Sequence, residues 1–100
     1  MNYALYCTDK PGHLQVRMDN RPAHVDYLNT LNAEGKLVLA GPTLDADNKP
    51  TGSIVIVEAE SMEAAQALAA GDPYAKAGLF ASVEIRAWNW VFNKPDAAVA

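Results

Sequence analysis

Apolar residues run together in four short stretches and recur at helical spacing in two longer ones, in the order strand, helix, strand, strand, helix, strand. Asn2 to Thr8 is β-rich, and Asp9-Lys10-Pro11-Gly12 breaks it with strong turn chemistry. His13 to Met18 has a helical pattern that Asp19-Asn20-Arg21-Pro22 interrupts, and Pro22 suits the first position of the helix that restarts there. From Pro22 to Glu34 the stripe Tyr27, Leu28, Leu31 recurs at helical spacing, and Gly35 closes it. Leu37 to Ala40 reads as a strand ending at Gly41-Pro42. The polar loop Asp45 to Pro50 turns the chain into the next strand, Thr51 to Glu58. Ser61 caps a second helix with Glu63 in its first turn, Ala64 to Ala70 is strongly helix-forming, and Gly71 ends it. Asp72-Pro73 opens one more short turn that stops at Gly78, before a long final strand from Leu79 to about Phe92. Residues 1–92 read as one domain and residues 93–100 as a frayed tail.

Two strand–helix–strand units joined by a hairpin assemble naturally into an α+β, ferredoxin-like βαββαβ sandwich, a four-stranded antiparallel sheet with both main helices on one face. The other face is bare unless something covers it. Leu37-Val38-Leu39-Ala40 and Ile54-Val55-Ile56-Val57 are apolar on both faces, which predicts a cover there too. In the last strand Leu79, Ala81, Val83 and Ile85 are expected on one face and Phe80, Trp88, Trp90 and Phe92 on the other. A second copy is the simplest cover, so the expectation is a homodimer packed through the sheet face, with Trp88 and Trp90 in the interface.

Half of the 100 residues are hydrophobic and a fifth are charged, as in an ordinary globular domain. With a net charge of −4 and scattered Lys and Arg, no basic stripe is available to neutralise phosphates, so nucleic acid is not expected as a partner. Neither a basic-apolar leader nor a run of about 18 apolar residues is present, so no membrane partner is expected and the cytoplasm is the default location. The single cysteine, Cys7, lies in an apolar run and reads as a small buried hydrophobe.

The candidate chemistry is a polar pair split between the two halves, His24 in Arg21-Pro22-Ala23-His24 and Asp72 in Asp72-Pro73-Tyr74. A histidine tuned by a carboxylate is the commonest acid/base device near neutral pH. His24 also falls on the stripe of Tyr27, Leu28 and Leu31, so a satisfied core-edge histidine is the competing reading. Asp72 before Pro73 is a good helix N-cap, but capping uses one carboxylate oxygen and leaves the other to orient an imidazole. Arg21 can bind an anionic or phenolate oxygen, or be a solvated charge; Tyr74 can wall a pocket, or pack under the short turn. Gly41-Pro42 and Gly52-Ser53 can bring backbone close to a ligand, with Ser53 a hydrogen-bond donor, or be strand-end turns. His13 is expected to be exposed. Cys7, His13 and His24 show no metal-ligand spacing, and no phosphate-cradling loop appears, so neither a metal nor a cofactor is expected.

The ordered set of the early tyrosine-rich strand, Arg21-Pro22-Ala23-His24, Glu34-Gly35-Lys36-Leu37, Ala40-Gly41-Pro42, Thr51-Gly52-Ser53, Asp72-Pro73-Tyr74 and Ala77-Gly78-Leu79 resembles the YciI-like family over nearly the whole chain. The resemblance implies a dimeric α/β barrel of ferredoxin-like domains with an active site built on a histidine and an aspartate, positions that fall on His24 and Asp72. Similar proteins include one that removes chloride from a chlorinated hydroxyquinol, and the fold is shared with muconolactone-isomerase-type enzymes. The functional expectation is therefore a lyase or isomerase using a His24–Asp72 dyad for cofactor-independent elimination, isomerisation or lactone-type chemistry on a small hydroxylated or cyclic substrate. The alternative is a dimeric protein that binds a small metabolite without turning it over. The crossover helices are expected to run roughly parallel, which leaves the kink at Pro22, the Asp72–Gly78 turn or a partner subunit to bring the pair together.

Overall fold

A computed structural model describes residues 1–95; of the tail read as frayed, residues 96–100 lie outside the described residues. The elements run β1 (Asn2–Asp9), α1 (Leu14–Ala33), β2 (Leu37–Leu44), β3 (Pro50–Glu58), α2 (Met62–Ala70), α3 (Pro73–Lys76) and β4 (Phe80–Trp88). The strands form one sheet in the order β2-β3-β1-β4, antiparallel at every junction, the ferredoxin-like α+β arrangement that the element order predicts.

Because β1 and β3 point opposite ways and each is followed by a helix that returns against it, α1 and α2 run antiparallel. This corrects the expectation of parallel helices. The C-terminal end of α2 is thereby carried toward the N-terminal half of α1, and no partner subunit is needed to bring Asp72 to His24.

A second correction concerns α1, which is one continuous helix of 20 residues with Pro22 inside it. A proline there lacks the N–H that would bond the carbonyl of Met18 and crowds that carbonyl. The first two turns are nevertheless held: Asn20 Nδ2 donates to the Val16 carbonyl at 2.8 Å, and Arg17 is anchored to β1 through Asp9. At the other end Gly35 has φ +75°, and the Lys36 N–H to Leu31 and Gly35 N–H to Asn32 bonds close the helix.

β2 does not stop at Gly41-Pro42 but continues through them to Leu44. It is an edge strand, where a proline's missing donor costs no ladder bond. β4, expected to reach Phe92, ends at Trp88, because Trp88 pairs with Asn2 and β1 offers nothing beyond Asn2 to continue the ladder. Past that point Trp90 turns its indole N–H to the Phe92 carbonyl, 2.6 Å away, with the Trp88 ring 5.7 Å from its own.

The register sorts the side chains. Tyr3, Leu5, Cys7 and Asp9 of β1 share the helix-side face with Val57, Val55 and Ser53 of β3. In β4, Thr8 pairs with Ser82 but Asp9 pairs with Phe80, so Ala81 is an extra residue, a bulge. The slip puts Phe80 on the same face as Val83 and Ile85, correcting its expected place opposite them. The core then gathers Tyr3, Leu5, Cys7, Val55, Val57 and Ala65, with Leu28, Leu37, Leu68, Phe80 and Ile85 packed around it.

Candidate functional site

α1 lies over the β2–β3 side of the sheet and leaves a cleft of about 320 Å³ between them. Its walls are Arg17, Arg21, His24, Val25, Leu28 and Asn29 from α1, Leu37, Ala40, Gly41 and Pro42 from β2, Ser53 and Val55 from β3, and Tyr74 from α3. Arg21, His24, Ser53 and Tyr74 thus meet in one cavity, and Asp72 lies behind the imidazole. His24 Nδ1 is 2.8 Å from Asp72 Oδ1 and 3.0 Å from Oδ2, and both residues are buried. A carboxylate only accepts, so Nδ1 is the donor in this contact, and in the neutral imidazole the lone pair then sits on Nε2.

Asp72 is placed by its own local structure. It is the N-cap of α3: Oδ1 accepts the Tyr74 N–H at 2.9 Å, and Pro73 follows as the first helical residue. The same oxygen that caps the helix therefore also meets the imidazole. Gly71, just before it, is set by packing. A Cβ there would lie 2.6 Å from the Tyr27 hydroxyl, which donates to the Leu68 carbonyl at 2.8 Å and ties α1 to the end of α2.

Tyr74 is fully buried, and its ring stacks on the His24 imidazole, centroids 3.9 Å apart and planes 14° from parallel. The Arg17 guanidinium carbon lies 4.6 Å from the same ring centre. Residues seven apart on a helix are about 10.5 Å apart along its axis, so the ring is held between Arg17 and His24. Burial pushes the Tyr74 phenol above its ordinary pKa, although Arg17 and Arg21 pull against it, so the hydroxyl stays neutral.

Arg17 and Asp9 were not among the residues the sequence singles out for chemistry. Arg17 is only 4% exposed; its Nε and Nη2 donate to the two Asp9 oxygens at 2.7 and 3.0 Å, and Nη2 also donates to Ser53 Oγ at 3.0 Å. Burial, the largest single influence, would lower the guanidinium pKa, but Asp9 and, less strongly, Tyr74 together raise it above its ordinary value. Reading the helix as restarting at Pro22 hides this residue; a continuous helix puts Arg17 two turns before His24 on one stripe. Ser53 is held from its neighbour as well, because any side chain at Gly52 would strike the backbone carbonyl of Cys7, 2.2 Å from where a Cβ would sit.

The remaining candidates fall elsewhere. His13 precedes α1, half-buried rather than exposed, with Nδ1 donating to the Pro11 carbonyl at 2.9 Å. Cys7 is buried in the core as expected. No helix among the described residues is long and apolar enough to cross a membrane.

Comparison with known proteins gives a consistent set. The YCII-related domain matches residues 1–89. Protein YciI of Escherichia coli O6:H1 is 45% identical over 98 residues, spanning 92% of this chain and all of that protein, and a Haemophilus influenzae protein is 38% identical over the same span. Among solved structures, the 5-chloro-2-hydroxyhydroquinone dehydrochlorinase TftG of Burkholderia phenoliruptrix AC1100, in complex with 2,5-dihydroxybenzoquinone, superposes with a TM-score of 0.82 at 44% identity, over 89% of this chain and 94% of that one.

Proposed function

The chain belongs to the YCII-related domain family, and from that premise we propose that it is a small-molecule enzyme whose acid/base group is His24, oriented by Asp72. The observation that carries this reading is the contact of His24 Nδ1 with both oxygens of Asp72, at 2.8 and 3.0 Å, in the wall of the cleft. Asp72 keeps the proton on Nδ1 and stabilises the imidazolium that forms when Nε2 accepts a second one. The substrate is a small hydroxylated or cyclic compound, as the likeness to a dehydrochlorinase in complex with a dihydroxyquinone supports.

The step starts with transfer of a proton from a substrate hydroxyl or acidic carbon to Nε2. The electron pair left behind moves onto a substrate oxygen as a phenolate or enolate. Collapse of that anion expels a leaving group with its bonding pair, an elimination; return of the proton to another atom is an isomerisation. Neither outcome needs a metal or an organic cofactor. Arg21, at the exposed rim, meets an anionic group on the substrate, and the Tyr74 ring backs the imidazole.

The same reading includes a homodimer through the sheet face opposite the helices. Leu39, Ile54 and Tyr6 on that face are 45%, 43% and 51% exposed in the single chain, with Ala4 and Ile56 beside them.

The test is turnover of a panel of hydroxylated aromatics, halogenated quinols and unsaturated lactones. Turnover is expected to persist with a chelator, to fall at least about a hundredfold in His24→Ala, and to fall less in Asp72→Asn. Full activity in His24→Ala removes the dyad from the mechanism. Binding of panel compounds without reaction makes this a ligand-binding protein instead.

A further inference from the structure

Ser53 presents a chemical asymmetry that the dyad does not use. A hydroxyl has one hydrogen and two lone pairs, and a guanidinium only donates. In the 3.0 Å contact between Arg17 Nη2 and Ser53 Oγ the serine is therefore the acceptor, and its own hydrogen is left over. No acceptor for that hydrogen is present among the described residues, although Ser53 is 96% buried by its 4% exposure. The side chain borders the cleft that His24 also lines. The serine cannot reverse its role while Arg17 stays in place, and Asp9 fixes Arg17 through two hydrogen bonds of 2.7 and 3.0 Å. A cationic donor on the oxygen also polarises the O–H and makes it a stronger donor to the next partner.

Resting on the proton-transfer reading above, we propose that Ser53 is the oxyanion donor of the cleft, and that the substrates are ring compounds with an ionisable phenol or enol oxygen. When His24 Nε2 takes the proton, the electron pair stays on the substrate oxygen. The Ser53 hydroxyl hydrogen-bonds that oxygen and keeps its own proton. Arg17 is a positioning residue: it touches no substrate in this assignment, but it decides which way the serine proton faces. The cleft wall fits an anion, since Arg21 lines it without a carboxylate partner among the described residues and no carboxylate is among its lining residues, while Arg17 is already paired with Asp9 and Asp72 is behind His24. The aliphatic walls Val25, Leu28, Leu37, Ala40 and Val55 suit the faces of a flat ring.

The probes are 4-nitrophenol, whose phenolate is coloured and whose phenol is not, and 2,5-dihydroxybenzoquinone, each titrated into the whole protein across pH. Wild type is expected to bind the phenolate at least about tenfold more tightly than the phenol, a preference seen directly as a lowered pKa of the bound dye. Ser53→Ala, which removes a single oxygen, should lose about tenfold or more of that preference, whereas Ser53→Thr keeps it. Arg17→Lys keeps a cation but not the fork that holds Asp9 and Ser53 together, and should lose part of it without abolishing binding of the neutral phenol.

Equal affinity of wild type for both forms of the dye, a Ser53→Ala preference like that of wild type, or no binding of either probe overturns the assignment; the wild-type titration decides this even where a variant folds poorly. A Ser53-dependent preference with no turnover of any panel compound leaves this assignment standing and removes the catalytic reading. Turnover that needs His24 and ignores Ser53→Ala does the reverse.

Discussion

The thiol of Cys7, packed between the sheet and the helices, is pushed from 9.0 up to about 12, first by burial and then by the nearby charge of Asp72, with Arg17 pulling the other way. Burial likewise raises the phenols of Tyr27 and Tyr74. Each of these acids ionises earlier in the unfolded chain than in the folded one. Their contribution to stability is complete below the unfolded values and drains away as pH rises; for Cys7 the window runs from about 9 to about 12. Denaturant unfolding across that range should show wild type losing stability more steeply per pH unit than Cys7→Ala. Parallel slopes would mean that the thiol does not couple to folding. His24, Asp72, Arg21, Ser53 and Tyr74 were singled out as polar or aromatic groups in short motifs, each with a structural reading beside the functional one, and the family resemblance is what weighted His24 and Asp72 toward chemistry. Arg17 and Asp9 were passed over, since an arginine in a helix and an aspartate in a turn look like solvated charges until a fold buries them together.

Elements were legible where the chain carries its own punctuation. Ser61 accepts the Ala64 N–H at 3.1 Å and Gly71 ends α2 at its expected place; Asp72-Pro73 starts α3 in the same way. They were misread where tertiary contacts override a local signal, as at Pro22, Gly41-Pro42 and the Phe80–Ser82 slip. The two turns of α1 before Pro22 are tied to the sheet by the Arg17–Asp9 pair, a long-range contact that the local sequence does not announce. Pro22→Ala restores a backbone donor for the Met18 carbonyl and should stabilise the protein by about 1–3 kcal/mol, read from urea unfolding. A loss of stability in that variant would show that the proline sets a helix path the cleft depends on.

At the scale of the whole molecule the two faces of the sheet differ in kind. Val55 points to the helices and belongs to the core, so a charge there should unfold the chain; Ile54 and Leu39 face the other way. Ile54→Asp should therefore leave the helix-side core folded by circular dichroism while shifting sedimentation from dimer to monomer. A wild-type chain that sediments as a stable folded monomer at micromolar concentration would remove the second copy from the proposal. This assignment of faces needed the register, because β3 is apolar at four successive positions and offers no alternation from which to read a side.

The bulge at Ala81 gives β4 an uneven tolerance of insertions and deletions. Phe80 already stands opposite Asp9, and Ser82 opposite Thr8, so removing Ala81 joins two residues that both keep their faces. Removing Glu84 would instead turn every side chain between it and the bulge to the opposite face, taking Val83 out of line with Ile85. The chain lacking Ala81 should melt several degrees above the chain lacking Glu84, and the reverse order would place the spare residue elsewhere in the strand. Length variation among chains that share this sheet would then collect at one point in β4, just past the short helix that carries the aspartate, where a residue is gained or lost without disturbing the cleft.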